Sequence, residues 1–348
     1  MMELARAETL DASFYHAPEI FARERQAIFA REWILVAHES ELPEPGQTFA
    51  ECLAGFPIFV QRGRDGALRG FHNVCRHRAG PLVDDGPGRH NFLRCRYHGW
   101  TYEEDGRLKS PRDFGEAEGF DASRFSLFPI RAACARGFVF VNLDAGAPPL
   151  EAALGPFLEV ARDAPFEASR FCTRVRHEIA CNWKTYAENY LEGYHVPFLH
   201  PALSREVETR AYRVEPGAGY VLHHVPTRAG AENPVYQGFW AWVAPNLAFN
   251  VYGNGMSVER VLPNGPRSTI IEYLFFFRDL GESGRAAREA AFEMCRQVTG
   301  EDRIICEAVQ RNLEAGIYTR GRLSPRHEAG VHAFQERIRA SLERALEF

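Results

Sequence analysis

Two short clips, Cys75-Arg76-His77 and Cys95-Arg96-Tyr97-His98, stand 17 residues apart in this 348-residue chain and constrain its fold more than any other feature. Each is followed by turn material, Ala79-Gly80-Pro81 and Gly99-Trp100, so both are expected on loops. Any two Cys and two His can close a tetrahedron around structural zinc, which is the alternative reading. Zinc sites, however, group their cysteines in one C-x-x-C clip and their histidines elsewhere, whereas here each clip supplies one of each. That arrangement suits a [2Fe–2S] cluster, with two thiolates on one iron and two neutral imidazoles on the other. The imidazoles remove negative charge from the ligand set and raise the potential.

The chain is long enough for two domains, each with its own core. Around the clips, residues 46–144 have short apolar runs such as FPIFV and GFVFVNL, broken by Gly, Pro and the Asp65-Gly66 and Asp105-Gly106 turns. This texture predicts a small antiparallel β domain. Before it, residues 18–33 place Ile20, Phe21, Ile28, Phe29 and Trp33 at helical spacing behind Pro18, which predicts one amphipathic helix. After the turn-rich AGAPP, helices are expected over 150–162 and 183–194 and strands over 219–277, including YQGFWAWVAP, NLAFNVYGN and STIIEYLFFF. Helices return at 285–315 and 327–346. Strands followed by helices make the fold class α+β. The boundaries fall at 36–145 for the β domain and at 1–35 with 146–348 for the second domain.

A net charge of −5, with 45% hydrophobic and 25% charged residues, describes a soluble globular chain and argues against nucleic acid as a partner. No uncharged run approaches the roughly 20 apolar residues of a spanning helix, and the start lacks the pattern of a signal peptide, so no membrane is expected and the location is expected to be cytoplasmic. The other six cysteines, Cys52, Cys134, Cys172, Cys181, Cys295 and Cys306, are scattered among apolar neighbours and read as core residues of a reduced protein.

The segment NWKTYAENYLEGYHVPFLHP holds His195 and His200. On a continuous helix five residues turn the direction by about 140°, which would keep the two imidazoles off a common metal. Pro197 disfavours helix at Val196, so the helix is expected to loosen just after His195 and let His200 swing back. Glu192, three residues earlier, lies on the face of His195. With one carboxylate, two histidines make the facial triad of Fe(II) oxygen chemistry. Glu301, Asp302 and Glu307 in TGEDRIICEAV are the candidates for it, and spacing alone leaves the three open.

The segments FHNVCRHRAGPLVDDG and LRCRYHGWTYEEDGRL resemble the Rieske signature of ring-hydroxylating oxygenase α subunits. The likeness extends over nearly the whole chain, nearest the choline-monooxygenase-like branch in ENYLEGYHVPFLHP and EDRIICEAVQRNLEAGIYTRGRLSP. It implies a [2Fe–2S] cluster on Cys75, His77, Cys95 and His98, and a mononuclear Fe(II) on His195, His200 and Asp302. It also implies a helix-grip (START-like) catalytic domain, in which an antiparallel sheet curves round a long C-terminal helix. In the family a carboxylate at the place of Glu192 bridges an iron-ligating histidine to a cluster-ligating histidine of the next subunit, here His195 and His98 of the partner subunit. Aspartate is the commoner residue at that place. Further implications are a homotrimer, and electrons from NAD(P)H delivered by a ferredoxin or flavin reductase, since no G-x-G-x-x-G follows a strand in this chain. The expected activity is O2-dependent hydroxylation or oxidative demethylation of a small quaternary ammonium or aromatic substrate. The rivals are an electron-transfer or sensing protein with the cluster alone and a non-catalytic helix-grip binder. Aromatic residues such as Trp240, Trp242 and Tyr273 are expected in the core or around a cavity, and Arg76, Arg78, Arg89, Arg94 and Arg96 form a basic rim suited to an acidic electron donor.

Overall fold

The computed structural model describes residues 3–164, 166–231, 235 and 238–344. It divides into two compact units, Phe29–Glu151 and the combination of Met1–Ile28 with Ala152–Phe348.

The smaller unit is β throughout. Strands β1 (Ile34–His38), β2 (Gln47–Leu53), β3 (Phe56–Arg62), β4 (Leu68–His72), β5 (Gly86–Arg89), β9 (Pro129–Ala135) and β10 (Phe138–Asn142) form an antiparallel sheet in the order β1-β10-β9-β4-β3-β2-β5. A second sheet of three short strands is made of β6 (Leu93–Arg94), β7 (Thr101–Tyr102) and β8 (Leu108–Ser110). Gly66 and Gly106 turn the chain with φ of +79° and +86°, which a side chain resists. At Gly106 a Cβ would also lie 2.5 Å from the Phe71 ring. The core between the sheets includes Phe59, Phe71, Trp100 and Tyr102 together with Cys75 and Cys95.

In the larger unit, α1 (Pro18–Glu24) widens into a π-helical turn over Arg25–Phe29, which ends short of the helix expected to reach Trp33. A seven-stranded antiparallel sheet runs β11-β17-β16-β15-β14-β13-β12. Its strands are β11 (Arg170–Ile179), β12 (Arg213–Pro216), β13 (Tyr220–His224), β14 (Gly238–Val243), β15 (Leu247–Tyr252), β16 (Gly255–Pro263) and β17 (Thr269–Phe277). Strand β11 stands where the sequence pattern predicted only helix and loop. The helices are α2 (Leu150–Val160), α3 (Trp183–Tyr190), α4 (Val196–Leu199), α5 (Leu203–Glu206), α6 (Arg285–Glu314) and α7 (Ala329–Arg344). Tyr236 and Gln237, which open the expected YQGFWAWVAP strand, and the expected helix end at Leu346 lie outside the described residues.

Both sheet faces are covered. Phe157 of α2 packs on Phe249, with ring centroids 5.1 Å apart, so the Phe239 and Ala241 face of β14 lies beneath that helix. On the other face Trp242 meets Tyr190 of α3 and Phe334 of α7. Helix α6 lies on that face too, where Phe292 packs on Phe275 and Thr299 bonds the Tyr273 hydroxyl at 2.9 Å. Its buried residues, Ala291, Cys295, Thr299, Asp302, Cys306, Gln310 and Leu313, recur every three or four positions and form one stripe. Helix α3 is pinned by the fully buried Lys184, whose Nζ lies 2.6 Å from Glu24 of α1. Among the described residues no helix is long and apolar enough to cross a membrane. Of the six cysteines expected in the core, Cys181, Cys295 and Cys306 are buried, but Cys52 is exposed and Cys134 and Cys172 are half-buried. Cys134 and Cys172 sit on β9 and on the sheet-edge strand β11.

Candidate metal centres

The two clips occupy loops with the same backbone. Cys75 N–H donates to Gly80 O and Ala79 N–H donates back to Cys75 O, and Cys95 with Trp100 and Gly99 repeats the pattern. The fifth residue of each loop takes positive φ, +57° at Ala79 and +75° at Gly99, a strained conformation for the alanine. Both thiols point inward and are 2% exposed, whereas His98 is exposed and His77 half-buried. Like therefore meets like. The two thiols interact, and the two imidazoles touch with centroids 4.6 Å apart. The first loop closes tightly on the second, since a Cβ at Gly80 would lie 2.8 Å from Cys95 Sγ. His77 stacks on Trp100, yet its buried Nδ1 has no hydrogen-bond partner among the described residues. Burial pushes the Cys75 thiol up, and hydrogen bonds from the Tyr102 hydroxyl, 3.2 Å from Sγ, and the His77 N–H oppose it. A donor set with two thiols on one side, two imidazoles on the other and an orphaned ring nitrogen fits a [2Fe–2S] cluster held asymmetrically.

The arginines around the clips are less free than a steering rim requires. Arg76 donates to the carbonyls of Ser126 and Arg124, Arg89 pairs with Glu44 and Arg96 with Asp84, while Arg78 and Arg94 lie over Tyr97 and Phe92.

In the larger unit, α3 stops at Tyr190, earlier than the expected helix end. The Glu192 carboxylate accepts the N–H groups of Tyr194 and His195, and Gly193 lets Tyr212 approach so closely that a Cβ would sit 2.6 Å from its ring. The break thus precedes His195. Pro197 then falls in the first turn of α4, where its missing N–H costs nothing, and His195 and His200 flank this single turn.

His195 Nε2 and His200 Nε2 come to 3.1 Å, and Asp302 Oδ1 lies 3.1 Å from the latter and 3.9 Å from the former. All three atoms fall within 4.8 Å of one another. Each ring is held from behind: His195 Nδ1 by Glu192 at 2.5 Å, and His200 Nδ1 by Glu301 at 2.7 Å, itself fixed by Gln297. Asn189 of α3 donates to Asp302 at 2.7 Å. With both Nδ1 protons committed to carboxylates, both Nε2 atoms present lone pairs toward a carboxylate oxygen. Three acceptors facing one point repel unless a cation sits among them. Burial works against charge on His200, but Asp302 and Glu301 outweigh it and hold the imidazole above its usual range. The site is built to take positive charge.

Of the remaining candidates, Glu301 orients His200, while Glu307 accepts the Ala180 N–H. Asn189 and Glu301 escaped the sequence reading as orienting groups because their partners lie 113 and 101 residues away. The histidines and Asp302 open into a cavity whose walls include Tyr190, Tyr212, Trp240, Glu259 and Tyr273.

Residues 166–344 match the model of the ring hydroxylating α subunit catalytic domain, and residues 32–120 match that of the Rieske [2Fe–2S] domain. The chain belongs to the Rieske ring-hydroxylating oxygenases. Among relatives of this Rieske oxygenase, the carnitine monooxygenase oxygenase subunit of Acinetobacter pittii is 32% identical over 95% of this chain and 94% of its own. Chloroplastic choline monooxygenase of Beta vulgaris is 29% identical over 94% and 76%. A solved quaternary ammonium Rieske monooxygenase, whose description concerns carnitine oxidation by gut microbiota and inter-subunit electron transfer, superposes with a TM-score of 0.87 at 29% identity, covering 97% of this chain and 96% of its own.

Proposed function

We propose that this Rieske oxygenase uses O2 and NAD(P)H-derived electrons, delivered in the cytoplasm by a separate ferredoxin or flavin reductase, to hydroxylate or oxidatively demethylate a small quaternary ammonium or aromatic substrate. The observation that carries this reading is the meeting of His195 Nε2, His200 Nε2 and Asp302 Oδ1 inside an aromatic-walled cavity. Cys75, His77, Cys95 and His98 would hold the [2Fe–2S] cluster, and His195, His200 and Asp302 the mononuclear iron. When bound, these groups supply one-electron storage and oxygen activation. The protein's own part is positional. Glu192 and Glu301 fix ring orientation and tautomer, Asn189 fixes the Asp302 carboxylate, and the aromatic walls exclude water from the bound substrate.

Glu192 is the residue through which the sites of neighbouring chains would communicate. It grips His195 within its own chain, and its side chain retains 11% exposure. In a head-to-tail homotrimer it would also reach His98 of the partner subunit, so that each iron is served by a foreign cluster. The likeness to a protein described for inter-subunit electron transfer supports this reading. The test is a panel of quaternary ammonium and aromatic compounds, scored for coupled NADH and O2 consumption with a reductase and for oxygenated or demethylated products by mass spectrometry. Product formation that disappears in His200→Ala supports the function; NADH oxidation without any product across both classes overturns it.

A further inference from the structure

Besides Asp302 and Glu192, which is committed to His195, the cavity is lined by a third carboxylate, Glu259, and no cationic side chain among the described residues meets it. Glu259 lies on β16 opposite Tyr273 and Ala248, is 3% exposed, lines the cavity, and has an Oε1 without a hydrogen-bond partner among the described residues. Its neighbour Arg260 is turned to the other sheet face, where it and Arg174 pair with Glu272. No lysine or arginine is found among the described lining residues. Other buried acids of this unit are answered from within: Glu24 by Lys184, Glu272 by its arginines, Glu188 by Tyr15 and Gln335.

A buried acid left with a bare oxygen is costly, and burial pushes Glu259 up to about 7 even though the Tyr186 and Tyr273 hydroxyls pull it down. A neutral aromatic substrate would be packed against this carboxylate with nothing to gain from it. A cation would relieve the cost. A quaternary ammonium has no N–H to donate, so it is recognised by a carboxylate together with aromatic ring faces. Tyr190, Tyr212, Trp240 and Tyr273 supply rings in the same wall, and the hydroxyls of Tyr190 and Tyr212 are tied to Asn250 and His223.

We propose that Glu259 determines substrate specificity by charge, so that the substrate is a methylated ammonium whose cationic nitrogen lodges between the Glu259 carboxylate and these rings. This rests on the oxygenase reading above, because it takes the cavity to be the substrate site.

The test compares choline with 3,3-dimethyl-1-butanol, which has the same shape without the charge, by calorimetric titration of the anaerobic holoenzyme. Wild type should bind the cation at least about tenfold more tightly. Glu259→Gln should erase that preference while leaving affinity for the neutral alcohol within about twofold, and Glu259→Asp, which keeps the charge, should restore part of it. Equal affinity for the two ligands in wild type, a preference that survives in Glu259→Gln, or Glu259→Asp behaving as Glu259→Gln does would each overturn the proposal. Iron and sulfide are counted on the same preparations. A complete cluster and iron without cation preference overturns charge selection alone, whereas cation preference in protein that assembles no cluster leaves it standing and overturns the oxygenase reading.

Discussion

Glu301 is expected to control iron affinity without being a ligand. Its carboxylate sits 2.7 Å from His200 Nδ1, behind a ring that is 1% exposed, and Gln297 anchors the other oxygen at 3.0 Å. Removing such an outer contact frees the ring's orientation and tautomer and typically weakens metal binding by about 10- to 100-fold, or roughly 1.4 to 2.7 kcal/mol. Glu301→Ala should therefore bind Fe(II) about 10- to 100-fold more weakly than wild type. Glu301→Gln, which keeps an acceptor for the Nδ1 proton but loses the charge, should fall between them. The assay is anaerobic equilibrium dialysis against Fe(II), counting iron above that of the cluster, with cluster EPR as a control. Wild-type affinity in Glu301→Ala would refute the reasoning, as would the same loss in Glu301→Gln and Glu301→Ala.

In the proposed homotrimer, Glu192→Gln should keep both metal centres and the assembly but lose most NADH-coupled turnover, roughly 10-fold or more, measured by O2 uptake against iron content. Mixed trimers of Cys95→Ala and His200→Ala chains, each inactive alone, should regain partial activity; no recovery despite confirmed subunit exchange would remove the inter-subunit route. His223 is buried and depressed to about 3, mainly by burial, so the folded state binds fewer protons than the unfolded state below pH 6.5 and stability falls as pH drops from there toward 3. By pH 5 the linkage amounts to about 2 kcal/mol, so the stability deficit of His223→Gln relative to wild type at pH 7.5 should narrow by about that much, as read by urea unfolding.

What the sequence made legible was mostly local. Each clip carries its ligands within a few residues, so the loop backbone alone determines where they point. The Pro197 argument brought His195 and His200 to one site, but it put the break after His195, whereas Glu192 capping two N–H groups and the Gly193–Tyr212 approach end α3 at Tyr190. The choice among three carboxylates had a signal in the sequence that went unused. Asp302 lies on the buried stripe of α6 with Cys295, Thr299 and Cys306, and Glu301 and Glu307 do not. Strand β11 escaped because it is an edge strand with a register shift between Phe171 and Thr173 and with Arg174 and Arg176 on one face, so RFCTRVRHEI lacks the clean apolar alternation that marks a half-buried strand. Glu259 was illegible for a different reason. All nine residues of β16 are buried, so no periodicity separates a cavity wall from core.

The central claim is that one chain carries a two-iron cluster and a separate single iron on independent ligand sets. Iron and acid-labile sulfide, quantified per chain alongside the EPR spectrum of reduced protein, test it most directly. Wild type should contain about three irons and two sulfides with a Rieske-type signal, and His200→Ala about two irons with that signal unchanged. Zinc in place of iron with no labile sulfide, or a His200→Ala protein that loses the cluster signal with its iron, would contradict it.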